Sequence, residues 1–188
     1  VVDVPELKLA MVDGAIEPDC APGSSPAFQQ AIVALYGISF TLKFDSKARS
    51  EAPIDYTVMP LEALWWALDG QFDISHPGNW GWTAMIMQPD HITDSMFDEG
   101  LAKLRKKRPS PALDGLRFGA FHEGLSMQIM HIGPYGDEPA TLARMEEFAR
   151  QNSYILCGRH HEIYLGDPRR SAPEKLRTIL RHPIQASR

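Results

Sequence analysis

One pattern occurs twice in the chain. Met11-Val12-Asp13-Gly14, a loop and a helix ending Gly37-Ile38-Ser39-Phe40-Thr41-Leu42 resemble Met130-His131-Ile132-Gly133, a loop and a helix ending Gln151-Asn152-Ser153-Tyr154-Ile155-Leu156. In each half an extended segment with a tyrosine (Tyr56, Tyr164) and a nearby proline follows. The period is far too long for a solenoid. It predicts an α+β fold of tandem duplicated βαββ units, a single domain of two pseudo-repeats at roughly 1–108 and 115–188, with residues 109–114 as the seam. Two such units make an antiparallel sheet with helices on one side. The other side becomes a concave ligand groove at the seam between halves, a preferred place for small molecules.

Taken in order, residues 7–16 read as the first strand. Ser25 caps a helix with Pro26 at its first position, where the missing N–H costs nothing. Phe28, Ile32, Leu35 and Tyr36 form its apolar stripe, and 41–53 read as a charged connection. Residues 54–59 and 61–68 read as extended, broken by Pro60, and 70–81 as a loop. The strand 82–88 is apolar on both faces and needs cover on both. Thr93 starts a second helix whose basic end, Lys103 to Arg108, suits the macrodipole. Strands 116–122 and 125–132 flank Glu123-Gly124, and a third helix begins near Pro139. Residues 173–181 read as a last short helix with Leu176, Ile179 and Leu180 inward.

Chemistry concentrates in His160-His161-Glu162-Ile163-Tyr164-Leu165, a strand closed by Gly166-Asp167-Pro168. Alternation puts His160, Glu162 and Tyr164 on one face. A carboxyl in a half-apolar cleft works as an acid or base near neutral pH, so Glu162 is the first candidate catalyst. Tyr164 is a hydrogen-bond donor beside it, and Glu123 is the second candidate acid. Trp65, Trp80 and Trp82 supply aromatic walls for flat or cationic ligands. Tyr135, in the Gly-Pro-Tyr-Gly turn, joins the candidate lining with Phe121 and His131. Trp65 and its neighbour Trp66 must face opposite ways.

Much is excluded. His160 and His161 are strand neighbours and cannot bind one ion from one face, and no His-Glu-x-x-His or zinc-spaced cysteine pair occurs. No phosphate loop, nucleophile elbow or dinucleotide fingerprint appears, so neither metal nor cofactor is expected. Nineteen basic against 24 acidic residues give −5, which argues against a nucleic-acid partner. No apolar run approaches a membrane span. Two cysteines make no disulfide framework, so a reducing, cytoplasmic setting is expected. Val1 in place of Met implies a trimmed start.

Several stretches together resemble the GyrI-like family of small-molecule-binding proteins. They are Phe40-Thr41-Leu42-Lys43-Phe44, Asp55-Tyr56-Thr57-Val58-Met59-Pro60-Leu61-Glu62, Met85-Ile86-Met87-Gln88-Pro89-Asp90, Met130-His131-Ile132-Gly133-Pro134-Tyr135 and His161-Glu162-Ile163-Tyr164-Leu165. The segment Pro173-Glu174-Lys175-Leu176-Arg177 through Pro183 resembles the stand-alone branch. The resemblance implies the tandem βαββ fold and an acid among aromatics that receives cationic drugs, best matched by Glu162. The Trp-rich middle resembles the subfamily that hydrolyses cyclopropane-bearing DNA-alkylating antibiotics of the yatakemycin and duocarmycin type with an aromatic cage. The alternatives are a drug-binding protein without chemistry, an effector-type sensor domain, or an inhibitor of a protein partner.

Overall fold

A computed structural model of the chain describes residues 1–70, 72–74 and 77–187. Seven strands and three α-helices follow in the order β1 (Val2–Ala15), α1 (Pro26–Lys47), β2 (Leu61–Ala67), β3 (Trp80–Met87), α2 (Asp94–Lys107), β4 (Arg117–Ile132), α3 (Glu138–Gln151), β5 (Tyr154–Leu156), β6 (His160–Tyr164) and β7 (Arg177–Ala186). All pairings are antiparallel, in the order β4-β1-β3-β2-β6-β7. The order returns on itself, because β7 also pairs with β4. The long strand β4 makes this possible. Its first half pairs with β1 and its second with β7, and Ser126 is opposite both Val2 and Pro183. Gly124, at φ +72°, supplies the left-handed turn in the backbone just before that change of partner.

Helix starts follow local chemistry. The Ser25 hydroxyl accepts from the Phe28 amide, with Pro26 at the first position, and the Thr93 hydroxyl accepts from Met96. Two expectations fail. Residues 41–47 are not a connection but the last turns of α1, which buries Leu42 and Ser46 at helical spacing while Lys43 and Lys47 pair with Asp55. Residues 177–181 are not helical but part of β7, preceded by a short 3-10 turn at Pro173–Lys175. Leu176, Ile179 and Leu180 fit a helix locally, yet the segment fills the slot between β6 and β4, where both strands need a partner for their backbone groups.

Pair registers fix the two faces of the sheet. Ala84, Ala63, Glu162 and Leu180 lie in one row across β3, β2, β6 and β7. This face carries all three helices. Helices α1 and α2 pack on Ala10, Val12, Ala63, Trp65, Trp82, Ala84 and Ile86, and α3 packs on Met127, Leu180 and Ile184. The next row, Thr83, Leu64, His161 and Arg181, faces the other way. That second face was expected to be the open ligand groove. Closure of the sheet encloses it instead, and Leu9, Met11, Leu64 and Met85 fill it as a separate apolar cluster. Glu62, Glu123, His161 and Arg181 fill the rest.

Candidate functional site

The row carrying Glu162 continues into a cluster of acids and rings between the α1 layer and the start of α3. Alternation on β6 gives it His160, Glu162 and Tyr164. Across β2, Leu61 and Trp65 are register partners of Tyr164 and His160. The Trp65 indole N–H donates to the Tyr164 oxygen at 3.1 Å. That oxygen's own hydrogen is then directed to the Glu162 carboxylate. Tyr135 meets Tyr164 edge to face, with centroids 5.9 Å apart. Trp80 packs on Trp65 at 5.5 Å, and Phe72 bridges Trp80 and His160.

Burial sets the protonation states. It holds the Tyr164 phenol well above 10, helped by the Glu162 charge, and pushes Tyr135 up to about 12. Both phenols are therefore donors at neutral pH. Glu138, at the first position of α3, is 2% exposed, and Glu162 is 6% exposed. Burial first, and the Glu162 charge second, push Glu138 up to about 9. The site thus presents an acidic pair, two phenols and an indole wall, with Tyr135, at 37% exposure, as its most open member.

The sequence profile of the GyrI-like small molecule binding domain matches residues 2–185. The chain belongs to the GyrI-like family. A conserved protein of Listeria innocua is 35% identical, with a TM-score of 0.87 over 98% of this chain and 90% of that one. A hydrolase from Listeria innocua is 33% identical with a TM-score of 0.81 over the same shares. A second structure described as a Listeria innocua hydrolase is 35% identical, with a TM-score of 0.83, again over 98% and 90%. The EcmrR C-terminal domain, 9% identical with a TM-score of 0.56 over 98% of this chain and 95% of that one, shares the fold alone. Among curated proteins, none matches.

Of the residues singled out in the sequence, this GyrI-like fold gathers Glu162, Tyr164, Trp65, Trp80 and Tyr135. Trp82 is near but belongs to the core, against Phe28, with its indole over Gly14 where no Cβ would fit. Trp66 faces the other way, as expected, with the Arg159 guanidinium 3.7 Å from its ring centre. His131 does not reach the cluster's acids. Its Nε2–H donates to the Pro134 carbonyl and its Nδ1 accepts from the Thr141 hydroxyl, so it pins the turn carrying Tyr135 onto α3.

Glu123 and Phe121 lie on the enclosed face and do not line this site. Burial alone would push Glu123 up, but hydrogen bonds from His161 and Arg181 outweigh it and hold the carboxyl below the ordinary range. His161 is pushed down by burial and lifted more strongly by Glu123 and Glu62, so its pKa ends raised. Both Glu123 oxygens are engaged, by His161 and Arg181, on the face away from the cluster. Sequence reading missed Glu138, Phe72 and His182. A glutamate in a first helical turn reads as a dipole partner, and only its proximity to Glu162 marks it out.

The raised value of Glu138 makes a testable link to stability. The folded chain keeps this proton up to about pH 9, whereas the unfolded chain loses it near 4.5. Between those values the fold binds more protons, so stability falls as pH rises, by at most about 1.4 kcal/mol per pH unit from this group. His161, also raised, acts in the same sense above its ordinary 6.5. His182, lowered to about 4, acts oppositely between 4 and 6.5. Comparison of wild type with Glu138→Gln isolates the one group. Urea unfolding at pH 5 and pH 8 should show the variant gaining on wild type at the higher pH; parallel curves would mean that Glu138 is ionised.

Proposed function

We propose that this chain binds a flat aromatic small molecule at the Glu162–Tyr164 cluster. We propose further that it hydrolyses the cyclopropane of DNA-alkylating antibiotics of the yatakemycin and duocarmycin type, as self-resistance or detoxification. Family membership supports the binding, and the similar Listeria hydrolases support catalysis. The observation that carries the reading is a carboxylate beside a phenol whose oxygen is held by an indole N–H, all walled by Trp80, Phe72 and Tyr135.

The chemistry balances with these groups alone. A water oxygen bonds to the cyclopropane CH2 as one ring C–C bond breaks. The released electron pair runs into the conjugated dienone and generates a phenolate. Glu162 takes the proton that the water loses. When the ligand is bound Tyr164 turns its single hydrogen from Glu162 to the oxygen where charge develops, and the proton on Glu162 then returns through Tyr164 to that oxygen. The product is the substrate plus one water. Trp80, Phe72 and Tyr135 hold the flat rings. No metal or cofactor is invoked.

We also read the chain as one domain of two pseudo-repeats, which the β-α-β-β order before α2 and the β-α-β-β-β order after it support. Cys20 and Cys157 are unpaired thiols, which fits a cytoplasmic setting. Among the described residues no helix is long and apolar enough to cross a membrane. The test is a mass-spectrometric time course with excess cyclopropane-bearing alkylator. A product heavier by one water, accumulating over many turnovers, is expected. Intact drug that only co-purifies would make the chain a binding or sensor module.

A further inference from the structure

His160 lies behind Glu162 in the same row of β6. It is 1% exposed, and both of its ring nitrogens are engaged. Its Nε2 lies 3.0 Å from Glu162 Oε1, and its Nδ1 lies 3.0 Å from His182 Nε2. Phe72 stacks on the ring at 5.6 Å, and the His182 ring centre is 4.9 Å away. The three side chains form a single file from β7 to the site: His182, His160, Glu162.

The direction of the file follows from donor chemistry. A carboxylate only accepts, so His160 Nε2 carries the hydrogen of the bond to Glu162. His182 is held down to about 4 by burial and then by the His160 charge, so at neutral pH it is a neutral ring with one N–H. The middle bond can then form in two ways. Either His182 donates to a neutral His160, or a protonated His160 donates to His182. In both, the Nε2–H stays on Glu162. His160 can therefore gain or lose a proton at Nδ1 without releasing the carboxylate.

Glu138 is placed differently. Its Oε1 is buried and has no hydrogen-bond partner among the described residues. A neutral acid tolerates that position far better than a carboxylate. We propose that His160, backed by His182, is the positioning residue that makes Glu162, and not Glu138, the ionised member of the buried carboxyl pair. Of the other groups facing the pair, Tyr164 is a second donor to Glu162 and acts in the same sense, Tyr135 is a neutral phenol, and Asp167, beyond the end of β6, acts on Tyr135. Glu123 and His161 act on His182 from the enclosed face with opposite signs.

The part of this inference that concerns turnover rests on the proposed hydrolysis; the part that concerns protonation does not. Infrared spectroscopy of the unliganded protein at pH 7 counts buried protonated carboxyls, and Glu138→Gln and Glu162→Gln assign the bands. Wild type should show the Glu138 band alone. His160→Phe keeps the stacking on Phe72 and removes the donor, and should add or substitute a Glu162 band. His160→Gln keeps an N–H within reach and should restore the wild-type pattern. With substrate, the acid limb of kcat/KM should move upward by about one pH unit or more in His160→Phe and stay in place in His160→Gln. An unchanged His160→Phe spectrum overturns the proposal. If wild type shows no turnover, hydrolysis fails and the infrared comparison still decides the protonation. If His160→Phe does not fold, nitrogen NMR of the wild-type ring decides, because a bare Nε2 at neutral pH also overturns it.

Discussion

Replacing Glu162 by Gln should lower kcat by about 10²–10⁴-fold, the usual share of a general base, while the ligand dissociation constant changes only a few-fold. The reason is specific to this site. Gln has the size of Glu and can still accept from His160 Nε2 and still sit beside Tyr164. It cannot take a proton from water. The aromatic walls, Trp80, Phe72 and Tyr135, are untouched by the change. Binding by calorimetry and turnover by mass spectrometry should therefore separate. Loss of both together would make Glu162 a binding group, and unchanged turnover would remove it from the mechanism. Tyr135, on the open side, offers a contrast. Its replacement by Phe should leave kcat near wild type, because it touches Tyr164 through its ring.

How much of this site was legible in the sequence depends on the range of the interaction that places each residue. Strand alternation is local, and it put His160, Glu162 and Tyr164 on one face and sent Trp65 and Trp66 apart. Capping is local too, so Ser25 and Thr93 started their helices as read. Which face of the sheet would carry helices is not local. The closure of β4 onto β7 decided it, enclosing the face expected to be open and taking Glu123 and Phe121 with it. The same closure overrode the helical spacing of Leu176, Ile179 and Leu180, because unpaired edges on β6 and β4 outweigh a weak local preference. Glu138 and His182 become visible only when α3 and β7 bring them to Glu162 and His160. Neither has a spacing signal relative to those residues.

The enclosed face leads to the second large effect, which concerns stability rather than turnover. Arg181 donates from Nη1 to Glu123 and from Nε to Gln128, both at 3.0 Å, and Glu123 also receives His161, which in turn donates to Glu62. Four strands, β2, β4, β6 and β7, are tied by this network. Two cations against two carboxylates leave it neutral. Arg181→Met leaves one buried carboxylate in excess and should cost about 3–5 kcal/mol. The cost should shrink in acid. Glu123 is lowered in the fold, so it stabilises above its ordinary 4.5 and loses that contribution as pH falls through its folded value. Once the carboxyl is protonated, the missing guanidinium matters less. Adding Glu123→Leu to Arg181→Met removes the stranded charge, leaves His161 with Glu62, and should recover most of the loss. Singly small, additive effects would show that the network does not clasp the sheet. The clasp matters for the site because His161 and Glu162 are neighbours on β6 and face opposite ways. A one-residue slip of β6 would exchange them. Holding His161 between two carboxylates on the enclosed face is what keeps Glu162 turned toward Tyr164 and His160.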